Sequence, residues 1–477
     1  MQRGSDNVLI EISPGQAQKY EIELPRDHPP GTHWYHAHKH GSVAMQLASG
    51  MAGALIIEGG LDEVPELKKA QEQILLFQQL SLSDCGRKTA EKGAGPEGCQ
   101  KTDPQGAVQF YESCDAYFQR LVDAGKLDSF PKGAACVESF DLSFGPGRWG
   151  SFLQPTFGDR TSINGQLAPV ITMRQGELHR WRLIHGGIRE TLMLGLVSKS
   201  AEPTQRAANA LIQGISQRIP FQVIAYDGIA TGRMDEAAQI ELQPGYRVDA
   251  LVRLDQPGEY ELIDLPTPES ASLRAASEEF KVLARVRVLP SDAPPMALPD
   301  AAALAPLAPY KHVDDKEVTG CQYNTFQIDT TSTPVRFLIN EQPYNPMADA
   351  RTMPLEKAEE WVVNSKLVNH PFHIHINPFE LVDGYAGLPK GTWKDTILIR
   401  QDEPVRLRTR YADFTGKFVL HCHILDHEDQ GMMQLLEILP KDAKPTSCPT
   451  LDQPATGMCA FPPPPNGACP PANSASR

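Results

Sequence analysis

At 477 residues the chain is too long for one hydrophobic core, and its 41% hydrophobic and 7% aromatic content is that of an ordinary globular protein. The formal net charge of -14 is spread along the chain, which argues against nucleic acid and anionic lipid as partners. No apolar run is long enough to span a bilayer.

The N-terminus, "MQRGSDNVLI", lacks the charged-then-apolar layout of a signal peptide and by itself reads as cytoplasmic. Next comes "HWYHAHKH" (33–40), a dense group in a chain with 14 histidines. Short apolar runs then dominate: "VLIEI" near the start, "GALIIEG", "QILLF", "FQVIAYD", "YRVDALVRL", "FKVLARVRVLP", "TILIR" and "VRLRTRY". Each is strand-length and bounded by turn-forming residues, which predicts all-β sandwiches. Residues 84–150 form a long Gly-, Pro- and Cys-containing insertion. Residues 201–217 are the best candidate for a short helix. A Pro/Ala-rich linker spans 291–311, and a Pro-rich tail spans 441–477. The expected division is 1–60, 61–290 and 312–440, the first piece being too short for a core of its own.

Nine cysteines punctuate this pattern. Cys422 lies between two histidines. The other eight (Cys85, Cys99, Cys114, Cys136, Cys321, Cys448, Cys459 and Cys469) fall in sequence that reads as loop-like or polar. An even number in such places is expected to form disulfides in an oxidising compartment, the plainer alternative being free thiols.

Three segments carry closely spaced histidines: "HWYHAHKH", "HPFHIH" (370–375) and "HCHILDH" (421–427). Each holds a His-x-His pair, namely His36 and His38, His373 and His375, and His421 and His423. In a strand i and i+2 share a face, so each pair is a pincer. In "HCH" the same alternation sends Cys422 to the opposite face, placing one metal centre on each side, joined by adjacent peptide units. His370, His427 and Met432 remain to partner Cys422. Two histidines, a thiolate and a weak axial methionine form a blue-copper ligand set. A single zinc site would take about four ligands and leave most of these residues unexplained, so copper is the expected metal.

"HPFHIHINPFEL", "WKDTI", "HCHILDHEDQGMM" and "GTHWYHAHKHGSVAMQLASGMAGALIIEG" resemble the copper motifs of the multicopper oxidases, which include laccases and bilirubin oxidases. "SINGQLAPVITMRQGELHRWRLIHGG" is similar to that family's middle domain. The resemblance implies tandem cupredoxin-like Greek-key β-sandwiches, the first of them incomplete, and a periplasmic or extracellular location for the full-length parent. It also implies the one-electron oxidation of a phenolic, aromatic amine or metal-ion reductant, coupled to four-electron reduction of dioxygen to water. It assigns His370, Cys422, His427 and Met432 to a type 1 copper. It assigns His36, His38, His375, His421 and His423 to paired type 3 coppers, and His373 to a type 2 copper. Glu428 stands where some relatives place a proton-relaying carboxylate; its plain alternative is a solvated surface glutamate. His33 and His40 are expected to be non-ligands, and His28, His179, His185 and His312 ordinary histidines. The resemblance also calls for a further His-x-His-Gly pair ahead of His33, and none is present. The expectation is therefore an N-terminally truncated oxidase with a weakened trinuclear cluster, or, as an alternative, a type 1 copper electron-transfer protein or inactive fragment.

Overall fold

The computed structural model describes residues 8–13, 15–21, 24–80, 160–199, 218–268, 270–273, 280–332 and 335–441, with the backbone of two short strands, Lys101–Thr102 and Val108–Gln109. The remainder of the 84–150 insertion, the 201–217 helix and the tail beyond Lys441 lie outside the described residues. So do all the cysteines except Cys321 and Cys422.

The first sandwich runs from Gln71 to Leu289. One sheet has six strands in the order Ile229–Ala237, Phe221–Tyr226, Arg247–Arg253, Leu178–His185, Gln71–Leu80 and Arg160–Ile163. The facing sheet orders Ile240–Leu242, Leu192–Ser198, Gly258–Asp264, Lys281–Leu289 and Val170–Arg174. Strand Lys281–Leu289 shows why the sheets close on each other. Ala284, Val286 and Val288 point into the core while Arg285, Arg287 and Leu289 face outward. Between the sheets Phe77, Trp181, Leu194, Phe221, Val248 and Leu262 form one apolar cluster.

The second sandwich, Val318–Leu439, repeats the plan. Its six-stranded sheet orders Arg336–Ile339, Val318–Asp329, Ala358–Ser365, Val405–Arg410, Phe379–Leu381 and Trp393–Lys394. Its five-stranded sheet orders Arg351–Pro354, Met433–Leu439, Gly416–Cys422, His370–Ile374 and Thr396–Ile399. In each sandwich one parallel pair lies in each sheet, as with Gln71–Leu80 beside Leu178–His185 and Val318–Asp329 beside Ala358–Ser365. These are the tandem cupredoxin-like sandwiches that the resemblance implies.

A smaller piece precedes them. Strands Gly31–His36 and Ala52–Ile57 pair antiparallel, joined through the short helix Val43–Ala48. Gly31 is pressed onto the first sandwich so closely that a Cβ there would meet the Gly228 carbonyl oxygen at 1.9 Å. The Thr32 hydroxyl donates to buried Asp249 at 2.6 Å and accepts from Arg182 at 2.9 Å. On its other side the piece is tied to the second sandwich: the Asp429 carboxylate accepts from the backbone N–H groups of Gly41, Val43 and Ala44 at 2.8–2.9 Å.

Three sequence expectations are corrected. "VLIEI" forms no strand; its described residues are turn and irregular chain, although Val8 packs near Val419 and Leu435. Cys321 is not in a loop but in strand Val318–Asp329, buried. The Pro/Ala stretch is not a free linker. Asp300 caps a helical turn, Ala301–Leu304, and buried Leu304 packs with Leu61, Leu178 and Ile224 on the outside of the first sandwich. Among the described residues no helix is long and apolar enough to cross a membrane.

Candidate metal centres

The first centre lies inside the core of the second sandwich. Cys422 ends strand Gly416–Cys422 and pairs across the sheet with Phe372 of strand His370–Ile374. Its Sγ lies 3.4 Å from His370 Nδ1 and 3.9 Å from His427 Nδ1, and the two Nδ1 atoms are 3.3 Å apart. His427 arrives on the short helix Leu425–Asp429 that follows the strand. Met432 belongs to the same buried cluster, and its backbone is locked in place. Its N–H donates to the His427 carbonyl at 2.9 Å, and its own carbonyl accepts from Cys422 N–H at 3.0 Å. All four residues are buried.

Burial pushes the Cys422 thiol well above its ordinary range and His370 down to about 3. The pocket therefore favours neutral imidazoles, and its thiol needs a cation before it ionises. That is the chemistry of a soft-metal site.

The second centre begins one residue away. His421 precedes Cys422 and faces the other way, as strand alternation requires. Its Nε2 lies 3.2 Å from His375 Nε2 and 3.4 Å from His38 Nε2, so three imidazoles from three segments offer their nitrogens to one point. His36, His373 and His423 surround this trio. Ring centroids are 5.3 Å apart for His36 and His38, 4.9 Å for His373 and His375, and 5.6 Å for His373 and His423. The Nδ1 atoms of His36, His373 and His421 sit on the carbonyls of Ala37, Asp395 and Cys422 at 2.8–2.9 Å. Such bonds put the proton on Nδ1 and leave the lone pair on Nε2. Burial lowers His36 to about 4, and takes His38, His373 and His423 well below their ordinary value.

Glu428 lies against this group, fully buried, so the solvated alternative is excluded. Its oxygens stand 3.0 Å from His421 Nδ1 and 3.4 Å from His38 Nδ1. Burial acts to raise its carboxyl, but the imidazole of His421 beside it holds it below the usual carboxylate range.

Of the site residues read from the sequence, His370, Cys422 and His427 converge in one group and His38, His375 and His421 in the other, with the rings of His36, His373 and His423 beside the second and Met432 in the core cluster that holds Cys422. His33 and His40 stay outside both. His40 stacks edge-on against Tyr344 at 4.7 Å, and His33 against His28 at 5.5 Å. His185 is a bonded core residue: Nε2 donates to the Glu190 carbonyl at 2.7 Å and Nδ1 accepts from Gly187 N–H at 3.1 Å. His179 is buried beside Glu177, and His312 pairs with Glu380.

Sequence spacing missed the residues that hold the imidazoles. Arg189 of the first sandwich reaches across to Asp426 at 2.7 Å and His427 Nε2 at 3.1 Å. Arg247 clamps Asp395 with two bonds of 2.8 and 2.6 Å, and Thr396 bridges Asp395 and His373. Gly245, at φ +87°, closes over His423, where a Cβ would meet the ring at 2.7 Å. A charged Arg-x-Asp inside the apolar run "YRVDALVRL" and the Asp-Thr of "WKDTI" are the sequence signals for this network.

Two segments match the multicopper oxidase family models: residues 313–442 and residues 4–61. A laccase of Bacillus stratosphericus is 23% identical over 449 residues, covering 87% of this chain and 73% of its own length. A laccase of Bacillus subtilis is 31% identical over 133 residues, 23% of this chain and 25% of its own. The fold is similar to that of a solved multicopper oxidase from Campylobacter jejuni, described as a metallo-oxidase. There the TM-score is 0.58 at 22% identity, covering 87% of this chain and 73% of that one. The two matched segments contain all three histidine motifs, and over both of them the chain is similar to the multicopper oxidase family.

Proposed function

We propose that the chain is a laccase-like oxidoreductase that takes single electrons from a small phenolic, aromatic amine or metal-ion reductant and delivers them to dioxygen, forming water. The observation that carries this reading is the position of Cys422. Its side chain joins the His370–His427 group while its neighbours His421 and His423 belong to the imidazole group. Two peptide units therefore link the groups covalently, with consecutive Cα atoms about 3.8 Å apart.

The residues fit copper. His370, Cys422, His427 and Met432 would hold a type 1 ion, His36, His38, His375, His421 and His423 the type 3 pair, and His373 a type 2 ion. Bound copper would supply one-electron redox chemistry at both groups. The protein's own contribution is orientation and proton supply. Carbonyls fix the imidazole tautomers, the apolar core keeps water from Cys422, and Glu428 holds a carboxylate against His421 and His38 for proton transfer. The even set of cysteines beyond Cys422 supports an exported, disulfide-forming protein.

A second reading, an electron-transfer protein using the Cys422 group alone, needs only His370, Cys422, His427 and Met432, all buried within the second sandwich. Copper content, visible absorption and oxygen uptake with hydroquinone separate the two. Several coppers per chain with hydroquinone-dependent oxygen uptake support the oxidase. A single copper with an intense blue band and no oxygen uptake supports electron transfer, and a colourless protein refutes both.

A further inference from the structure

We propose that a cavity between the two sandwiches, away from both metal-ligand groups, binds a small aromatic carboxylate. The cavity encloses about 370 Å³, the size of a small-molecule site, and lies where such sites concentrate, between packed units. Its walls come from four elements: strand Ile229–Ala237 of the first sandwich, the docked Pro/Ala stretch running on to His312, and strand Phe379–Leu381 and the loop and strand around Lys390–Trp393 of the second. The inference does not rest on the oxidase reading.

The lining chemistry selects the ligand. Two cationic side chains face the cavity with capacity to spare. Arg233 gives its Nε to Asp235 at 2.8 and 2.9 Å and keeps 42% of its side chain accessible, so the rest of its guanidinium can turn to an anion in the cavity. Lys390 makes no hydrogen bond or ion pair with a described residue, and Asp315, the carboxylate near enough to feel its charge, is taken by Arg408 at 2.7 Å. The one carboxylate in the lining, Glu380, is already engaged. One oxygen bonds His312 Nδ1 at 2.7 Å and the other accepts from Val313 N–H at 2.9 Å. The unsatisfied groups are thus donors and positive charges, which a carboxylate would satisfy.

Beside them Tyr310 and Trp393 stack at 4.9 Å with a 30° interplanar angle, extending an aromatic wall to the cavity. A flat ring carrying a carboxylate meets both features: the ring against the aromatic pair and the carboxylate towards Arg233 and Lys390.

The test is a ligand-observed NMR titration of the copper-loaded protein with benzoate, repeated on copper-free protein so that a carboxylate–copper contact cannot imitate the site. Benzoate is expected to bind saturably in both forms, cyclohexanecarboxylate more weakly, and benzylamine not at all. Lys390→Gln and Arg233→Gln should each weaken benzoate about fivefold or more with the melting temperature unchanged. Should Arg233→Gln unfold the chain, the surface variant Lys390→Gln carries the test. Absence of saturable benzoate binding, equal binding of benzylamine, or an unchanged affinity in Lys390→Gln overturns the proposal. Because copper-free protein is included, failure of the oxidase reading leaves this result standing, and the reverse holds too.

Discussion

Replacing Cys422 by serine changes the volume of the core little and removes its only thiolate donor among the described residues. The expected outcome is a folded protein whose copper-loaded form has no intense blue band, checked by absorption and circular dichroism; a retained band would place the thiolate elsewhere. His185 gives a prediction about acid. Burial lowers it to about 4, so its folded form stays neutral while the unfolded chain takes up a proton near 6.5. Its stabilising contribution is complete above about pH 6.5 and is lost as pH falls towards 4, amounting to about 3 kcal/mol at most. Denaturant titrations of copper-free protein should show a shallower loss of stability over that window in His185→Gln. At this scale the sequence disclosed the ligand candidates because their types and spacings are rare. It left Glu428 undecided, because burial depends on which chain segments arrive from elsewhere.

At the scale of elements, each His-x-His pair straddles the end of a strand. His36 closes Gly31–His36, His375 follows His370–Ile374, and His423 follows Gly416–Cys422. The alternation rule put Cys422 and His421 on opposite faces correctly, but pairs at strand ends owe their final position to what caps the strand. For His38 the capping element is helix Val43–Ala48, held by Asp429. Asp429→Ala would strand three buried N–H groups and is expected to cost about 2–4 kcal/mol. Hydrogen exchange should show faster exchange at Gly41–Ala44 than in the sandwich cores. Uniform exchange would mean that the clamp does not govern this segment. Most strands were legible from their apolar runs. "VLIEI" was not, because a run of apolar residues becomes a strand only where a sheet takes it up, and 8–12 belongs to none of the sheets.

On the scale of the whole molecule, the two sandwiches meet through buried charge. Arg247 binds Asp395, and Lys394 Nζ lies 2.9 Å from the Asp227 carboxylate as an ion pair. Both joints lie beside His373. Arg247→Met leaves Asp395 without its main counter-charge and is expected to destabilise by about 3–5 kcal/mol. Calorimetry should then resolve the two sandwiches as separate transitions, and the variant should bind less copper at the imidazole group while the Cys422 group still fills. A single transition at the original temperature would show that the joint is not structural.

The sequence by itself determined the all-β class, the repeated strands and the identity of the donor atoms, since strand periodicity and ligand spacing are local properties of the chain. It also separated Cys422 from its neighbours, because alternation along a strand is fixed by backbone geometry. Only the tertiary structure decided that Arg189 and Arg247 would brace the histidines, that Glu428 would be buried between them, and that the Pro/Ala stretch would wall a cavity. Those outcomes depend on contacts between residues more than a hundred positions apart in most cases, such as the pairing of Arg189 with Asp426. No local pattern encodes which distant partner a buried charge will meet.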